Sequence, residues 1–310
     1  VVAIAAGDNH TVYAKNDGSI WACGINDVGQ LGDGTFTRKS SPVMISNNVS
    51  IAAAGDGRTI FQKSDGTLWT AGNNIFYRLG DGTNASKSSP VQIGTVDGIT
   101  QIATGDYHTL YLTKDGTLWG FGYNGDYELG LNEYSVYANP EKLMTGIAQV
   151  AAGSYCSLIV KTDGSLWAVG ENWSGQLGDG TNTDVTSWSK IMDDVAKGDA
   201  GYYHSLVLKK DGSLWAAGQN WFGSLGNGTT ESSAVFVKVM DGVVDVAANG
   251  YTSMAIKSDG SLWGWGPNWG GMLNTGDYSN QISHVKITDG VASVSTNDSY
   301  VLITKTVSYR

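Results

Sequence analysis

Three histidines occupy like places in this sequence. His10, His108 and His204 each close a Gly-x-x-His element, in Gly7-Asp8-Asn9-His10, Gly105-Asp106-Tyr107-His108 and Gly201-Tyr202-Tyr203-His204. Imidazole is a common metal ligand and a ready general base, but a metal draws its donors to within about 2 Å of one point. Positions that recur in successive repeats diverge, and the matching places elsewhere hold Arg58, Cys156 and Thr252. We read the column as a hydrogen-bonding one, directed at a neighbouring repeat. Asp33, Asp81 and Asp179 in Asp-Gly-Thr lack the alternating acidic ligands and closing Glu of a calcium loop, so they are read as turn formers. No Gly-x-Ser-x-Gly elbow, His-Glu-x-x-His pair or phosphate loop is present. The chain is expected to be non-enzymatic, with no cofactor and no metal.

The residues that break the repeat carry more information. Two places after the Gly of Gly-x-x-His the copies read Asn9, Gly57, Tyr107, Tyr155, Tyr203, Tyr251 and Ser299. Just after a repeated Asn they read Asp27, Ile75, Gly125, Trp173, Trp221 and Trp269. Phe76 and Phe222 follow in two copies, while Tyr77 and Tyr127 replace a loop Gly. Equal offsets place each column at one height, so two rings of aromatics are expected. Trp and Tyr are costly to leave in water and are enriched at binding hot spots. A lid over the ends of the repeats is the alternative, but a required lid should not be missing from some copies.

The repeat itself is set by Asp-Gly-(Ser or Thr)-(Leu or Ile)-Trp, which begins at Asp17, Asp65, Asp115, Asp163, Asp211 and Asp259, at intervals of 48, 50, 48, 48 and 48 residues. Such a period marks units that bury their apolar faces only against one another. Asp-Gly between alternating apolar residues predicts a tight hairpin. Adjacent Leu and Trp point to opposite faces of the return strand, so both faces are buried and the Trp belongs to the core. Outer strands are expected near 43–45, 91–93, 235–239 and 284–287, with Pro42, Pro90 and Pro140 at their starts. A sheet covered on both sides by like sheets is a blade of a β-propeller. The expected fold is all-β, a single propeller domain over 1–310 with seven blades, the last incomplete; the alternative is six blades and an appended hairpin. The last copy supplies strands at 291–294 and 300–305 but has Val307 and Ser308 where Asp-Gly is due. Residues 306–310 would be a degenerate third strand at best.

The ordered set of a small-residue strand, Gly-x-x-His, Asp-Gly-x-Leu-Trp and Gly-x-Asn-x-x-Gly-x-Leu-Gly-Asp-Gly-Thr resembles the repeat of the regulator of chromosome condensation family, over nearly the whole chain. The resemblance implies a β-propeller, usually of seven blades. It also implies a choice of functions, since members include a nucleotide exchange factor that docks on chromatin and a bacterial inhibitor of β-lactamases that binds through an aromatic-rich face. This chain lacks the basic tail and long insertions of the exchange factor.

Composition narrows the partners. Gly (43), Trp (11) and Tyr (15) are abundant, charged residues make up 15%, and the net charge is -10, which disfavours nucleic acid. No apolar run is long enough to cross a bilayer. Cys23 and Cys156, three repeats apart, are expected as buried thiols. The sequence therefore predicts a monomeric protein-binding module that presents Tyr107, Tyr155, Tyr203, Tyr251, Trp173, Trp221, Phe222, Trp269, Phe76, Tyr77 and Tyr127 to a partner protein. A carbohydrate-binding propeller is the alternative, because Trp173, Trp221 and Trp269 recur beside Asn172, Asn220 and Asn268. Nucleotide exchange and hydrolase or lyase activity are less favoured. Few Lys and a first residue other than Met suggest a secreted or surface-displayed bacterial segment.

Overall fold

The repeated pentapeptide is a chain of hydrogen bonds. Asp17 Oδ1 accepts from the Ser19 amide at 2.9 Å and from the Ser19 hydroxyl at 2.6 Å, and Ser19 Oγ in turn accepts from the Trp21 indole at 2.9 Å. Gly18 between them has φ +79°, a conformation glycine adopts at no steric cost. The same relay recurs at Asp65, Asp163, Asp211 and Asp259. It explains why the motif needs Asp, Gly, a hydroxyl and Trp together. The preceding Leu or Ile is fully buried, but the Trp is only half-buried, a correction to its expected place in the core. Its outer face carries a lysine ammonium, as with Lys161 at 3.5 Å from the Trp167 ring and Lys15 at 4.0 Å from that of Trp21.

The computed structural model describes residues 1–297 and 299–305. Each hairpin is flanked by an inner and an outer strand, giving six four-stranded antiparallel sheets over 3–46, 49–95, 99–144, 147–192, 195–240 and 243–288. The inner strands surround a channel of about 570 Å³. Small residues let them crowd together there: Ala5, Ala53, Ala103, Ala151 and Ala247 share one register, and Asp199 breaks it. The second strand of a blade is buried along most of its length, as in His108–Thr113. Adjacent blades meet across apolar clusters such as that of Leu206, Leu214, Leu225, Val246 and Trp265. Among the described residues the one helical element is a 3-10 turn at Ile75–Tyr77, and no helix is long and apolar enough to cross a membrane. Cys156 is a buried free thiol, whereas Cys23 is only half-buried.

The histidine column ties blade to blade. His10, His108 and His204 place Nε2 at 3.0, 2.9 and 2.8 Å from the hydroxyls of Thr59, Ser157 and Ser253 in the next blade. Those hydroxyls donate onward to the carbonyls of Gln30, Glu128 and Ser224. Their protons being committed, each imidazole must donate from Nε2 and is neutral, with Nδ1 bare. Burial lowers their pKa values to about 4, 3 and 4. These groups protonate in the unfolded chain near 6.5 but not in the fold, so their stabilisation is present above that pH and is lost as the pH falls towards the folded values. The invariable partner of the imidazole is the motif's Gly: a methyl at Gly105 would fall 2.4 Å from His108 Cε1, and at Gly201 2.5 Å from His204 Cε1. Where Thr252 replaces His, Asn249 replaces that Gly. Arg58 makes the same tie differently, donating to the carbonyls of Gly105, Asp106 and His108.

The six complete blades match the alternative count and correct the leading expectation of seven. The surplus half repeat forms a two-stranded sheet, Val291–Thr296 with Val301–Lys305, seated between the sixth blade and the first. Its sequence has Val307 and Ser308 in place of the turn-forming Asp-Gly; the expected third strand at 306–310 lies outside the described residues. The hairpin still closes the ring. Tyr300, which occupies the histidine column, sets its hydroxyl 2.8 Å from the Gly7 carbonyl and 2.6 Å from that of His10, and Asn297 donates to Gly7 O at 2.5 Å. Because among the described residues Val301–Lys305 is paired along one edge, the amides of 301–303 should exchange with solvent faster than those of 205–207 in the fifth blade. Equal protection would show the hairpin's outer edge to be covered.

Candidate functional site

In an antiparallel meander the first and third connections lie at one end of the sheet and the second at the other. The Gly-x-x-His turns and the Asn loops therefore share an end, opposite the Asp-Gly turns and their lysines. At the shared end the aromatic side chains form one continuous band. Tyr107 meets Tyr155 at 5.8 Å between ring centroids, Tyr155 meets Tyr203 at 6.1 Å, and Tyr203 meets Tyr251 at 6.1 Å. Phe76 extends the band at one end, 5.5 Å from Tyr107. Phe222 and Trp269 extend it at the other, 5.3 Å from Tyr251 and 5.0 Å from each other. The two expected rings are thus interleaved into a single horseshoe. It is open where the Tyr column reads Asn9, Gly57 and Ser299.

The four column tyrosines are half-buried against one another, and Phe222 is half-buried too. Phe76 is 38% exposed, Trp173 72%, Trp221 68% and Trp269 54%. Trp173 and Trp221 stand outside the ring contacts. Tyr77 and Tyr127 are half-buried, also outside the band, with φ +60° and +64° at the place where other copies have Gly. Three members escaped the sequence reading. Tyr123 lies 4.9 Å from Phe76, Tyr134 lies 6.1 Å from Tyr123, and Tyr202 lies 5.4 Å from Tyr251. The signal was available for two of them: Tyr202 stands where other copies have Asp8, Asp56 and Asp106, and Tyr123 where they have Glu171 or Gln219.

The loops that carry the aromatics are pinned by the repeated Asn. Asn172 Oδ1 accepts from the Leu177 amide at 3.0 Å, and its Nδ2 donates to Asp179 and to the Thr181 carbonyl. Asn220 and Asn268 do the same work, and all six copies are completely buried. This removes the support for the carbohydrate alternative, because the side-chain amides expected to serve sugar hydroxyls are consumed within the loops.

Buried charge underlies part of the band. Arg78 pairs with Asp56 at 2.8 Å, donates to the Asp106 carbonyl and lies 5.7 Å from the Tyr107 ring. Burial, helped by the Asp56 charge, raises the Asp106 pKa to about 6. Burial raises Glu128 to about 8 and half-buried Glu171 to about 7, each with further carboxylates nearby. Among the described residues no three His, Cys, Asp or Glu side chains are grouped to hold a metal ion.

A family model described as the RCC1-like domain matches residues 1–303. The chain belongs to the RCC1-like domain family. No curated protein matches it in sequence. Among solved structures, human WBSCR16 has 22% identity and a TM-score of 0.86, over 97% of this chain and 85% of that one. Prp20p of Saccharomyces cerevisiae, described with its binding to Gsp1p and histones, has 21% identity and a TM-score of 0.84, over 96% and 80%. Yeast RCC1 (Prp20) bound to Kap60 has 20% identity and a TM-score of 0.84, over 98% and 80%. At these identities the likeness is one of fold. These relatives are human and yeast proteins and give the expected bacterial, secreted source no support.

Within this RCC1-like domain, Glu128 offers a clean test of buried charge. Its Oε2 accepts from the Asp126 amide as Gln30 and Gln176 accept from Val28 and Ser174. A carboxyl whose folded pKa is raised favours the fold below its unfolded value, near 4.5, and loses that advantage as the pH rises towards 8. Glu128→Gln should leave stability at pH 4.5 nearly unchanged and raise it at pH 8.5 by more than about 1.4 kcal/mol, the worth of one pKa unit. Urea unfolding at the two pH values would check this.

Proposed function

We propose that this RCC1-like domain is a non-enzymatic module that binds a partner protein through the aromatic horseshoe and the Trp residues that flank it. The observation that carries the reading is the exposure of Trp173 and Trp221 on loops that the buried Asn172 and Asn220 side chains hold in place. A side chain of that size, held out on a rigid loop and not packed on its own blade, has the properties of a hot-spot anchor. Two further features support it. Tyr77 and Tyr127 keep an aromatic in a left-handed backbone conformation that costs a non-Gly residue about 1 kcal/mol or more, at a place where Gly would serve the loop better. The yeast relative is described with protein partners, Gsp1p, histones and Kap60. Half-buried tyrosines that already contact one another lose little freedom when a partner covers them.

The test is capture. Proteins retained by the immobilised domain from its source cell would be identified by mass spectrometry, and the affinity of each measured with Trp173→Ala, Trp221→Ala and the double variant. Each substitution should cost about 2 kcal/mol, roughly 30-fold in Kd, and leave the thermal midpoint unchanged. Retained affinity in the double variant would overturn the reading.

A further inference from the structure

At the junction of the third and fourth blades the aromatic band borders a group of carboxylates that form no salt bridge among the described residues. Asp126 and Glu171 are half-buried, and Asp184 lies beside them with Oδ1 accepting from the Asn172 amide at 2.9 Å. Burial raises the pKa of Asp126, with the Asp184 charge adding to it, and burial raises Glu171 with Asp126 and Asp184 adding. Around both groups the interacting charges are all negative, in contrast to Asp106, which Arg58 and Arg78 offset. Glu128, whose Oε2 accepts from the Asp126 amide at 3.1 Å, is fully buried, and its Oε1 finds no hydrogen-bond partner among the described residues. The rings are adjacent: the Glu171 amide donates to the Tyr155 carbonyl at 2.9 Å, the Glu171 carboxylate acts on the Tyr203 hydroxyl, and exposed Trp173 follows two residues on.

We propose that this junction receives a cationic side chain, an arginine or lysine of the partner protein, held between the Asp126, Glu171 and Asp184 carboxylates and the faces of Tyr155, Tyr203 and Trp173. Half-buried negative charge without a counter-ion is a cost that a bound cation removes, and aromatic faces attract cations through their quadrupoles. The chain's own lysines cannot serve. Lys161 lies over Trp167 and Lys190 pairs with Asp193 at the opposite end of the fourth blade, and Lys114 pairs with Asp97 at that end of the third. The proposal rests on the protein-binding reading and specifies the chemistry of the partner at one subsite.

The probe is N-acetyl-arginine methylamide, with the uncharged isostere N-acetyl-citrulline methylamide as control, titrated against the whole domain and followed by aromatic-ring NMR. The arginine probe should shift the Tyr155, Tyr203 and Trp173 resonances saturably in the millimolar range, at least about tenfold more tightly than citrulline. Glu171→Gln and Asp126→Asn should each abolish that difference while the other ring resonances hold their positions. Lowering the pH from 8 to 5 should weaken the arginine probe only, since Glu171, faced by Asp126, Asp184, Glu128, Cys156 and Tyr203, then takes up its proton. Equal shifts by both probes, an unchanged affinity in both variants, or no shift up to about 100 mM would each overturn the subsite. If a captured partner still requires Trp173 but is indifferent to Glu171→Gln, the binding surface stands and the cationic subsite falls.

Discussion

A four-stranded sheet of this chain has apolar residues on both faces, and neither face can be buried within the sheet. Leu110, Leu158 and Leu206 reach complete burial only because the next blade lies against them. Face-to-face packing alone would let blades slide, since apolar contact is non-directional. Direction comes from the histidine column, where a neutral imidazole crosses the gap to a hydroxyl that is already fixed by a carbonyl. Arg58 and Tyr300 reach across by other chemistry from the same place. The contact is so tight that the motif's Gly must lack a side chain. Lysines on the half-buried Trp rings, the Asn-pinned loops and the aromatic band all inherit their positions from this stacking.

Much of this was legible in the sequence because the relevant constraints are local. Asp-Gly-Ser-Leu-Trp contains its own turn, hydroxyl bridge and indole donor, so six copies announce six hairpins. The histidine column could be assigned to a bridging role because its places diverge in a repeat. Blade count was not legible to the same degree. Closing the ring depends on Tyr300 reaching Gly7 and His10, a contact across nearly the full chain length that no local pattern encodes. The Trp of the pentapeptide was misjudged for a related reason: strand alternation says which face a side chain leaves from, not whether the next blade extends far enough to cover it.

The site was legible in part. Columns of aromatics could be read as rings, but their interleaving into one band depends on how a turn and a loop from neighbouring blades lean together. Phe76 in the second blade touches Tyr107 in the third, and Phe222 in the fifth touches Tyr251 in the sixth. Tyr123, Tyr134 and Tyr202 were missed because none falls in an aromatic column. The buried carboxylates were invisible for a different cause. Glu128 sits where Gln30 and Gln176 sit, and one oxygen in place of a nitrogen hardly disturbs a pattern, although it sets an ionisable group in the interior.

The pinned loop also bears on how such a surface changes over time. Asn172, the Leu177 amide, Asp179 and Thr181 together hold the loop, and none of them is among the residues that project from it. The projecting places take Asp27, Ile75, Gly125, Trp173, Trp221 or Trp269 with the frame intact. Framework and contact residues are thus separate sets, as they are in an antibody's supporting strands and hypervariable loops. Drift at the projecting places can alter the chemistry of that end without endangering folding, so that, if the shared end binds as proposed, one inherited frame can carry many different recognition surfaces.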